Sequence, residues 1–168
     1  MTNTLSGTAL SGSITSRLHF DELASGASRA LSHLDHAVTK ELDAAAIDRR
    51  LRELIRIRAS QLNGCAYCID MHTKDARGIG ETEQRIYALP AWRETPFFSD
   101  RERAALSFTE TVTLVADTHV PTAAFEEVAA EFTPTEVAAL VSLIMVINAW
   151  NTIGVTTRAW EPGSYQRD

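Results

Sequence analysis

Residues 53 to 80 read ELIRIRASQLNGCAYCIDMHTKDARGIG and contain both cysteines of this 168-residue chain. Apolar residues recur with helical spacing up to the Asn63-Gly64 pair, which tolerates the left-handed conformation of a helix end. A second helix is predicted to begin near Cys65 and to end near residues 78 to 80. The stretch therefore predicts two helices folded back on each other, with a C-x-x-C motif at the turn.

The rest of the chain is also predicted to be helical, because it has no long alternating pattern of a strand. Periodicity and helix-start signals place five more helices outside the quoted stretch. They cover about residues 21 to 38, a short segment after the N-cap Thr82, Ser99 to about Ala116 with a Ser99–Glu102 capping box, Pro121 to about Glu131, and Pro134 to Asn151 with a capping box at Thr133 and Glu136.

Length and composition predict a single all-α domain. Hydrophobic residues make up 45% of the chain and charged residues 23%, which is ordinary for a globular protein of this size. Residues 1 to 16 are rich in Ser, Thr and Gly and are predicted to be a flexible N-terminal arm. Residues 17 to 168 are predicted to form the helical domain, ending in a loop.

The charge and the apolar runs exclude several function classes. The net charge is −6, and no Lys/Arg cluster indicates a nucleic-acid surface. The N-terminus lacks the pattern of a signal peptide, and the longest apolar run is shorter than the roughly 20 residues of a membrane span. We therefore expect a cytoplasmic protein that binds neither membrane nor nucleic acid. Cytoplasmic thiols are kept reduced, which favours a catalytic or metal-binding cysteine pair over a structural one.

The predicted helix from residue 134 to residue 151 is apolar almost all round, so most of its surface has to be buried. Two interpretations remain open on pattern alone. The helix is either the central core helix of a monomer, or part of it and its neighbours pack against other copies of the chain, which would make the protein a homo-oligomer.

A disulfide between Cys65 and Cys68 would be a poor structural link. Helical residues three apart hold their Cβ atoms about 5–6 Å apart, whereas a relaxed disulfide needs roughly 3.5–4.5 Å. The bond therefore requires Cys65 to lie at the helix start with non-helical dihedrals, or it is strained. Since closing so short a loop contributes only about 2 kcal/mol, the pattern favours a bond that forms and breaks.

The surroundings of the cysteines also favour redox chemistry. The first turn of a helix stabilises a thiolate through its free N–H groups and the helix dipole. His72 shares a helix face with Cys68 four residues earlier and can take its proton or pair with the thiolate. Glu53 would orient His72 if the two helices fold back on each other. Alternatively, Glu53 is a surface charge paired with Arg52 or Arg56.

Alternative roles for the motif are less well supported by the sequence. Cys65, Cys68 and His72 supply three zinc ligands where a structural site needs four, and the remaining histidines are scattered along the chain. A thioredoxin-type module would need a preceding strand, which is absent from the pattern. Two buried cysteines without a role would leave the neighbouring histidine unexplained. The remaining histidines are His19, His33, His36 and His119.

The quoted stretch resembles the core of the AhpD-like alkylhydroperoxidase / carboxymuconolactone decarboxylase family. The pattern is Glu, then Ser-Gln-x-Asn-Gly-Cys-x-x-Cys-x-x-x-His, then Ala and Gly, and the later MVINAWNTIGV looks like the closing helix of the family. The matching positions include Asn148, Trp150 and Asn151 in that helix and, in the quoted stretch, Glu53, Ser60, Cys65, Cys68, His72 and Ala76.

The resemblance implies an all-helical fold in trimers or hexamers and a peroxidase activity on alkyl or organic hydroperoxides without a cofactor. By that analogy Cys68 is the peroxidatic thiol and Cys65 the resolving one, Glu53 and His72 are the proton relay, and a dithiol or lipoyl-bearing protein is the reductant. The decarboxylase branch is disfavoured because its members lack the cysteine pair. One departure is Tyr67, an accessory residue that stands where well-characterised peroxidases carry histidine.

A second function class remains open beside the peroxidase. In it the chain is a non-enzymatic, oligomeric helical protein whose C-x-x-C-x-x-x-H motif binds zinc or senses oxidation. Zinc content distinguishes the two, because a structural zinc would be lost together with the fold on chelation.

Overall fold

The structure is a computed structural model that describes residues 15 to 167. All regular elements in that range are helical, and they form one domain, as the sequence predicts. Residues 1 to 14, which make up nearly all of the predicted N-terminal arm, lie outside the described range. The helices are α1 (Phe20–Leu23), α2 (Ser25–Ala44), α3 (Arg49–Asn63), α4 (Ala66–Gly78), α5 (Glu83–Ala88), a 3-10 segment (Leu89–Glu94), α6 (Asp100–Thr113), α7 (Val115–Thr118), α8 (Thr122–Glu131) and α9 (Pro134–Thr157).

The hairpin of α3 and α4 matches the prediction from the opening stretch. Helix α3 ends at Asn63, and Gly64 has a φ of +72°, the left-handed conformation that a residue without Cβ adopts at little cost. The apolar stripe of α3 is buried, including Leu54 and Ile55. Helix α4 then runs back along α3 and brings the two cysteines next to the core.

Polar side chains fix the end of α3 against α9. Asn63 Nδ2 donates to Asn148 Oδ1 at 2.6 Å and to Asn151 Oδ1 at 2.9 Å. Asn151 Nδ2 in turn donates to Ser60 Oγ at 3.0 Å. Because Asn151 and Ser60 are fully buried, each bond that they make avoids the cost of an unpaired polar group. This network holds the turn before Cys65 in place.

The predicted capping signals are confirmed. Ser99 with Glu102 and Thr133 with Glu136 form reciprocal capping boxes, and the Thr82 side chain accepts a bond from the backbone at the start of α5. Each box satisfies two N–H groups that a helix start leaves without a partner, which explains why these starts could be read from sequence.

Several predicted boundaries were wrong. Helix α2 extends to Ala44 instead of residue 38, which buries Leu42 in the core. Helix α6 ends at Thr113 instead of Ala116, because Leu114 leaves the helical conformation and a separate turn, α7, follows. Pro121 precedes the first turn of α8 with an extended backbone, and α9 continues six residues past Asn151 to Thr157.

Helix α9 is the most apolar element and packs against α2, α3 and α6. Its 24 residues are enough, by length and composition alone, to cross a membrane. The apolar run considered in the sequence is shorter than this helix and therefore underestimated its apolar length. Leu140, Leu143 and Ile144 are fully buried in the core. Val141 and Met145, in contrast, are 40% and 51% exposed in the single chain.

Candidate functional site

The two cysteines form a disulfide at the start of α4. Cys65 is the N-cap, with φ −83° and ψ 93°, and only Cys68 is inside the helix. The Cα atoms are 5.3 Å apart. This arrangement meets the condition that the sequence set for such a bond, namely a first cysteine with non-helical dihedrals at the helix start. The structure therefore shows a pair that can be oxidised without disrupting α4.

His72 and Glu53 are brought together by the α3–α4 hairpin. His72 Nδ1 lies 2.9 Å from Glu53 Oε2, and both residues are buried, at 7% and 8% exposure. The alternative interpretation, in which Glu53 is a surface charge, is therefore wrong. Its predicted ion pair with Arg56 is nevertheless present, since Arg56 Nη1 donates to Glu53 Oε1 at 2.5 Å. Arg52 instead pairs with Asp43.

The charge of Glu53 sets the tautomer of His72. Burial by itself raises the pKa of Glu53, but the hydrogen bond and charge of His72, together with Arg56, outweigh it and hold the pKa below 4.5. An ionised carboxylate only accepts, so the proton lies on His72 Nδ1 and Nε2 is the basic nitrogen. His72 and Cys68 line the same cavity.

The ion pair of Glu53 with Arg56 continues into contacts with residues that sequence reasoning did not assign to the site. Arg56 Nη2 lies 3.7 Å from Asp35 Oδ1 on α2, and Asp35 Oδ2 accepts from Trp150 Nε1 at 3.1 Å. Asp35, Ser28 and Ser32 share one face of α2 at spacings of three and four residues. That polar face between apolar positions was the signal that could have found them.

A cavity of about 320 Å³ opens over Cys68. Its size suits a small organic molecule. Polar groups from α1, α2 and α3 line one side, and apolar and aromatic groups from α4, α9 and the C-terminal segment line the other. The apolar and aromatic lining residues are Tyr67, Met71, Val146, Ile147, Trp150 and Trp160.

Tyr67 and Trp160 form the aromatic wall of this cavity. Their rings lie 5.5 Å apart, and Trp160 also meets Trp150 edge-on at 5.8 Å. Trp160 Nε1 donates to Asp21 Oδ2 at 2.8 Å, which anchors the C-terminal segment to α1. Burial and the charges of Asp70 and Asp21 raise the pKa of Tyr67, so its phenol is a hydrogen-bond donor at neutral pH.

The zinc ligands proposed from sequence do not form a set in this structure, because Cys65 and Cys68 are bonded to each other. In the described part of the chain the one group with metal-ligand spacing is Glu53, His72 and Asp75. These side chains already have partners, since Glu53 binds His72 and Arg56, and Asp75 accepts from Tyr165. A cation would have to compete with the Arg56 guanidinium for Glu53.

Comparison with known proteins identifies the family. The model of the carboxymuconolactone decarboxylase family matches residues 26 to 111, which span α2 through most of α6. The chain belongs to the carboxymuconolactone decarboxylase family. The AhpD-like resemblance proposed from the sequence is therefore confirmed.

Two known proteins are similar to this chain over most of their length. The uncharacterized protein YdfG of Bacillus subtilis is 50% identical over 111 residues, which cover 66% of this chain and 76% of YdfG. The crystal structure of ATU0492 from Agrobacterium tumefaciens, a protein of unknown function described as a candidate antioxidant defence protein AhpD, superposes with a TM-score of 0.81. It is 36% identical, and the match covers 88% of this chain and 99% of ATU0492.

A more distant structure shows the range of chemistry on this fold. The debrominase Bmp8 matches with a TM-score of 0.71 at 19% identity, covering 83% of this chain and 73% of Bmp8. At that identity the likeness shows the fold alone. Proteins of this fold thus include an enzyme, and the Cys65–Cys68 disulfide of this carboxymuconolactone decarboxylase family member is compatible with a redox role.

Proposed function

We propose that the protein is a thiol-dependent peroxidase that reduces organic hydroperoxides through Cys65 and Cys68. The observation that carries the proposal is the position of Cys68: it is half of a disulfide, and it lines one cavity with a histidine that a buried carboxylate orients. Cys68, His72 and Glu53 thus correspond to the nucleophile, the base and the orienting group that together activate a thiol.

In the reduced protein we assign the roles from the cavity that Cys68 and His72 share and from their spacing of four residues on α4. His72 Nε2 takes the proton of Cys68, and the thiolate attacks the terminal oxygen of the hydroperoxide. The S–O bond forms, the O–O bond breaks, and the leaving alkoxide takes the proton back from His72 and departs as an alcohol. Cys65 then attacks the Cys68 sulfenic acid, which gives the disulfide and water.

The cavity supports an organic substrate over hydrogen peroxide. Trp150, Trp160 and Met71 offer apolar surface to an alkyl or aryl group, while Cys68 and His72 face the same space. Burying such a group is worth about 25 cal/mol per Å² of apolar surface. Hydrogen peroxide has no such group to bury.

Turnover of an organic hydroperoxide with a dithiol donor tests the proposal. We expect Cys68→Ser to abolish turnover and Cys65→Ser to allow a single oxidation that leaves Cys68 as a sulfenic acid or a mixed disulfide. Each variant is the matched control for the other, since both remove one buried sulfur. Full activity in both variants would refute a cysteine-based reaction, and one zinc per chain, lost together with folding on chelation, would favour the metal-binding alternative.

We further propose that the chain assembles with copies of itself. Val141 and Met145 lie on one face of α9, four residues apart, and remain 40% and 51% exposed in the single chain. An exposed apolar stripe on an otherwise buried helix is typical of an interface. The family resemblance implies a trimer or hexamer.

A further inference from the structure

The two cysteines of the disulfide line separate cavities. Cys68 lines the cavity with His72, whereas Cys65 lines a second cavity of about 260 Å³ between the start of α4, the end of α9 and the C-terminal segment. Neither cavity is lined by both cysteines. Tyr67 and Trp160 line both, so this aromatic pair is the partition between them.

We propose that the second cavity binds the reductant, and that this reductant is a dithiol carrying a negative charge. The inference rests on the proposed peroxidase function, whose family resemblance already implies a dithiol reductant, and adds to it a site and the charge of the ligand. Peroxide would enter on the Cys68 side, and electrons would enter on the Cys65 side. The two half-reactions would then not compete for one cavity.

The chemistry favours attack on Cys65. A thiolate of the reductant attacks Cys65 Sγ, a mixed disulfide forms, and the Cys65–Cys68 bond breaks with Cys68 leaving as the thiolate. The helix start and His72 stabilise that leaving group. The second thiol of the reductant then attacks its own sulfur in the mixed disulfide, which releases Cys65. The products are the cyclic disulfide of the reductant and two protein thiols, so two electrons and two protons are transferred.

The charge of the second cavity indicates an anion. Arg17 and Arg158 line it, and no carboxylate from the described part of the chain does. The backbone N–H of Arg17 donates to Thr157 O at 2.8 Å, which holds Arg17 next to Arg158. Among residues 15 to 167, neither guanidinium forms a salt bridge with a carboxylate, although the net charge of the chain is −6. Guanidinium groups without a protein carboxylate are available to a carboxylate ligand.

Gly154 leaves space beside the Cys65 sulfur on this side. A Cβ at position 154 would lie 2.9 Å from Cys65 Sγ, closer than real Cβ contacts come. Gly154 also lines the second cavity, where Cys65 itself is only 2% exposed. A side chain on Gly154 would therefore occupy the space through which a thiolate reaches Cys65.

The experiment compares dihydrolipoate with dihydrolipoamide, which carry the same dithiol and differ in one carboxylate. Oxidised protein is mixed with each probe without peroxide, quenched with an alkylating agent, and the free thiols are counted by mass spectrometry. We expect dihydrolipoate to react about three- to ten-fold faster at low ionic strength, with the difference shrinking as salt is added. The double variant Arg17→Gln/Arg158→Gln should bring the ratio close to one.

The control is Arg29→Gln/Arg49→Gln, which also removes two positive charges, from exposed positions on α2 and α3, and should keep the ratio. A ratio near one in the unmodified protein, or an unchanged ratio in the double variant, would overturn the proposal. Gly154→Ala should slow both probes by about tenfold or more while keeping their ratio. A Gly154→Ala protein that folds and is reduced at the normal rate would overturn the approach to Cys65. If Gly154→Ala does not fold, the arginine variants alone decide.

The two proposals fail in different ways. Because the measurement contains no peroxide, a charge preference in a protein that never consumes hydroperoxide would refute the peroxidase function and keep the reductant site. Peroxidase turnover without any charge preference would refute the reductant site and keep the peroxidase function.

Discussion

His72 Nδ1 and Glu53 Oε2 are 2.9 Å apart, although the two residues are 19 positions apart and belong to different helices. The Gly64 turn between those helices makes this pairing possible. Because Arg56 holds the other oxygen of Glu53, the carboxylate stays ionised and in one orientation. The imidazole is therefore fixed in rotation and tautomer before any substrate arrives.

The first prediction concerns the proposed proton relay of His72 and Glu53. General-base help is typically worth about 10²–10⁴-fold, so His72→Ala should slow the oxidation of the reduced protein by an organic hydroperoxide by a factor of that order. Glu53→Gln should slow the same reaction by a similar or smaller factor, because the amide still accepts a hydrogen bond but carries no charge. The measurement is the second-order rate of peroxide consumption, with Glu126→Gln on the exposed face of α8 as a charge-matched control.

Alkylation by iodoacetamide against pH separates the relay from the thiols themselves. The midpoint for Cys68 should move to higher pH in both variants, and a disulfide should still form slowly. Unchanged alkylation profiles would leave the cysteines redox-active and remove Glu53 and His72 from their activation.

The second prediction is a pH dependence of stability. The pKa of Glu53 in the fold lies below its ordinary value of 4.5, so Glu53 stabilises the fold above that pH and loses this contribution as pH falls through the lower folded value. Glu53→Gln should lower the free energy of unfolding by roughly 1–3 kcal/mol at pH 7 and flatten its decline below about pH 4.5. Urea titrations at several pH values measure both effects. A decline as steep as in the unmodified protein would contradict the assignment, and Glu126→Gln should preserve that decline.

The fold was largely predictable because its signals are local. Capping boxes at Ser99 and Thr133 and the left-handed turn at Gly64 depend on neighbours within a few residues, so sequence alone shows them. Helix ends without such signals, at Ala44 and Thr157, were placed too early. Tertiary burial of Leu42 and Thr157 decides those ends, and no local pattern records it.

The site was predictable only where it follows the motif. The pairing of Glu53 with His72 followed from two helices joined by one short turn. Asp35 and Trp160 line the same cavity although they are far apart in the chain. Trp160 lies between the predicted end of the last helix at Asn151 and the predicted C-terminal loop, so no predicted element included it. Contacts of this kind depend on how α2 and the C-terminal segment pack, which one sequence does not specify.

The third prediction tests the turn. The Cβ added by Gly64→Ala would have no atom within 4 Å, so the effect of this substitution comes from the backbone at φ +72°. It should destabilise the fold by about 1 kcal/mol. Gly26→Ala is the matched control, since it also meets no atom but lies in α2 without a positive φ. It should stabilise the fold by roughly 0.4–1 kcal/mol. Chemical denaturation measures both, and two changes of the same sign would contradict the role of Gly64.

The fourth prediction addresses assembly. Light scattering should give a multiple of three chains, and Val141→Glu or Met145→Glu should yield monomers that stay folded, because both positions are exposed in the single chain. Thr135→Glu adds the same charge to the exposed first turn of α9 and should leave the assembly intact. A monodisperse 18.5 kDa species at micromolar concentration would refute the proposed oligomer.

The last prediction concerns Tyr67, which stands where the family resemblance places a histidine in well-characterised peroxidases. Its raised pKa keeps the phenol protonated near neutrality, so it donates to a thiolate or peroxide but is a poor base. Tyr67→Phe keeps the ring against Trp160, 5.5 Å away, and should cost less than about threefold in turnover, the effect of one modest hydrogen bond. Tyr67→His adds a nitrogen that accepts protons beside Cys68, and we expect it to raise the rate.

Steady-state turnover with one organic hydroperoxide and one dithiol measures both variants. A loss of tenfold or more in Tyr67→Phe would place the phenol in the relay itself, and lower activity in Tyr67→His would show that the aromatic partition with Trp160 matters more than an added base.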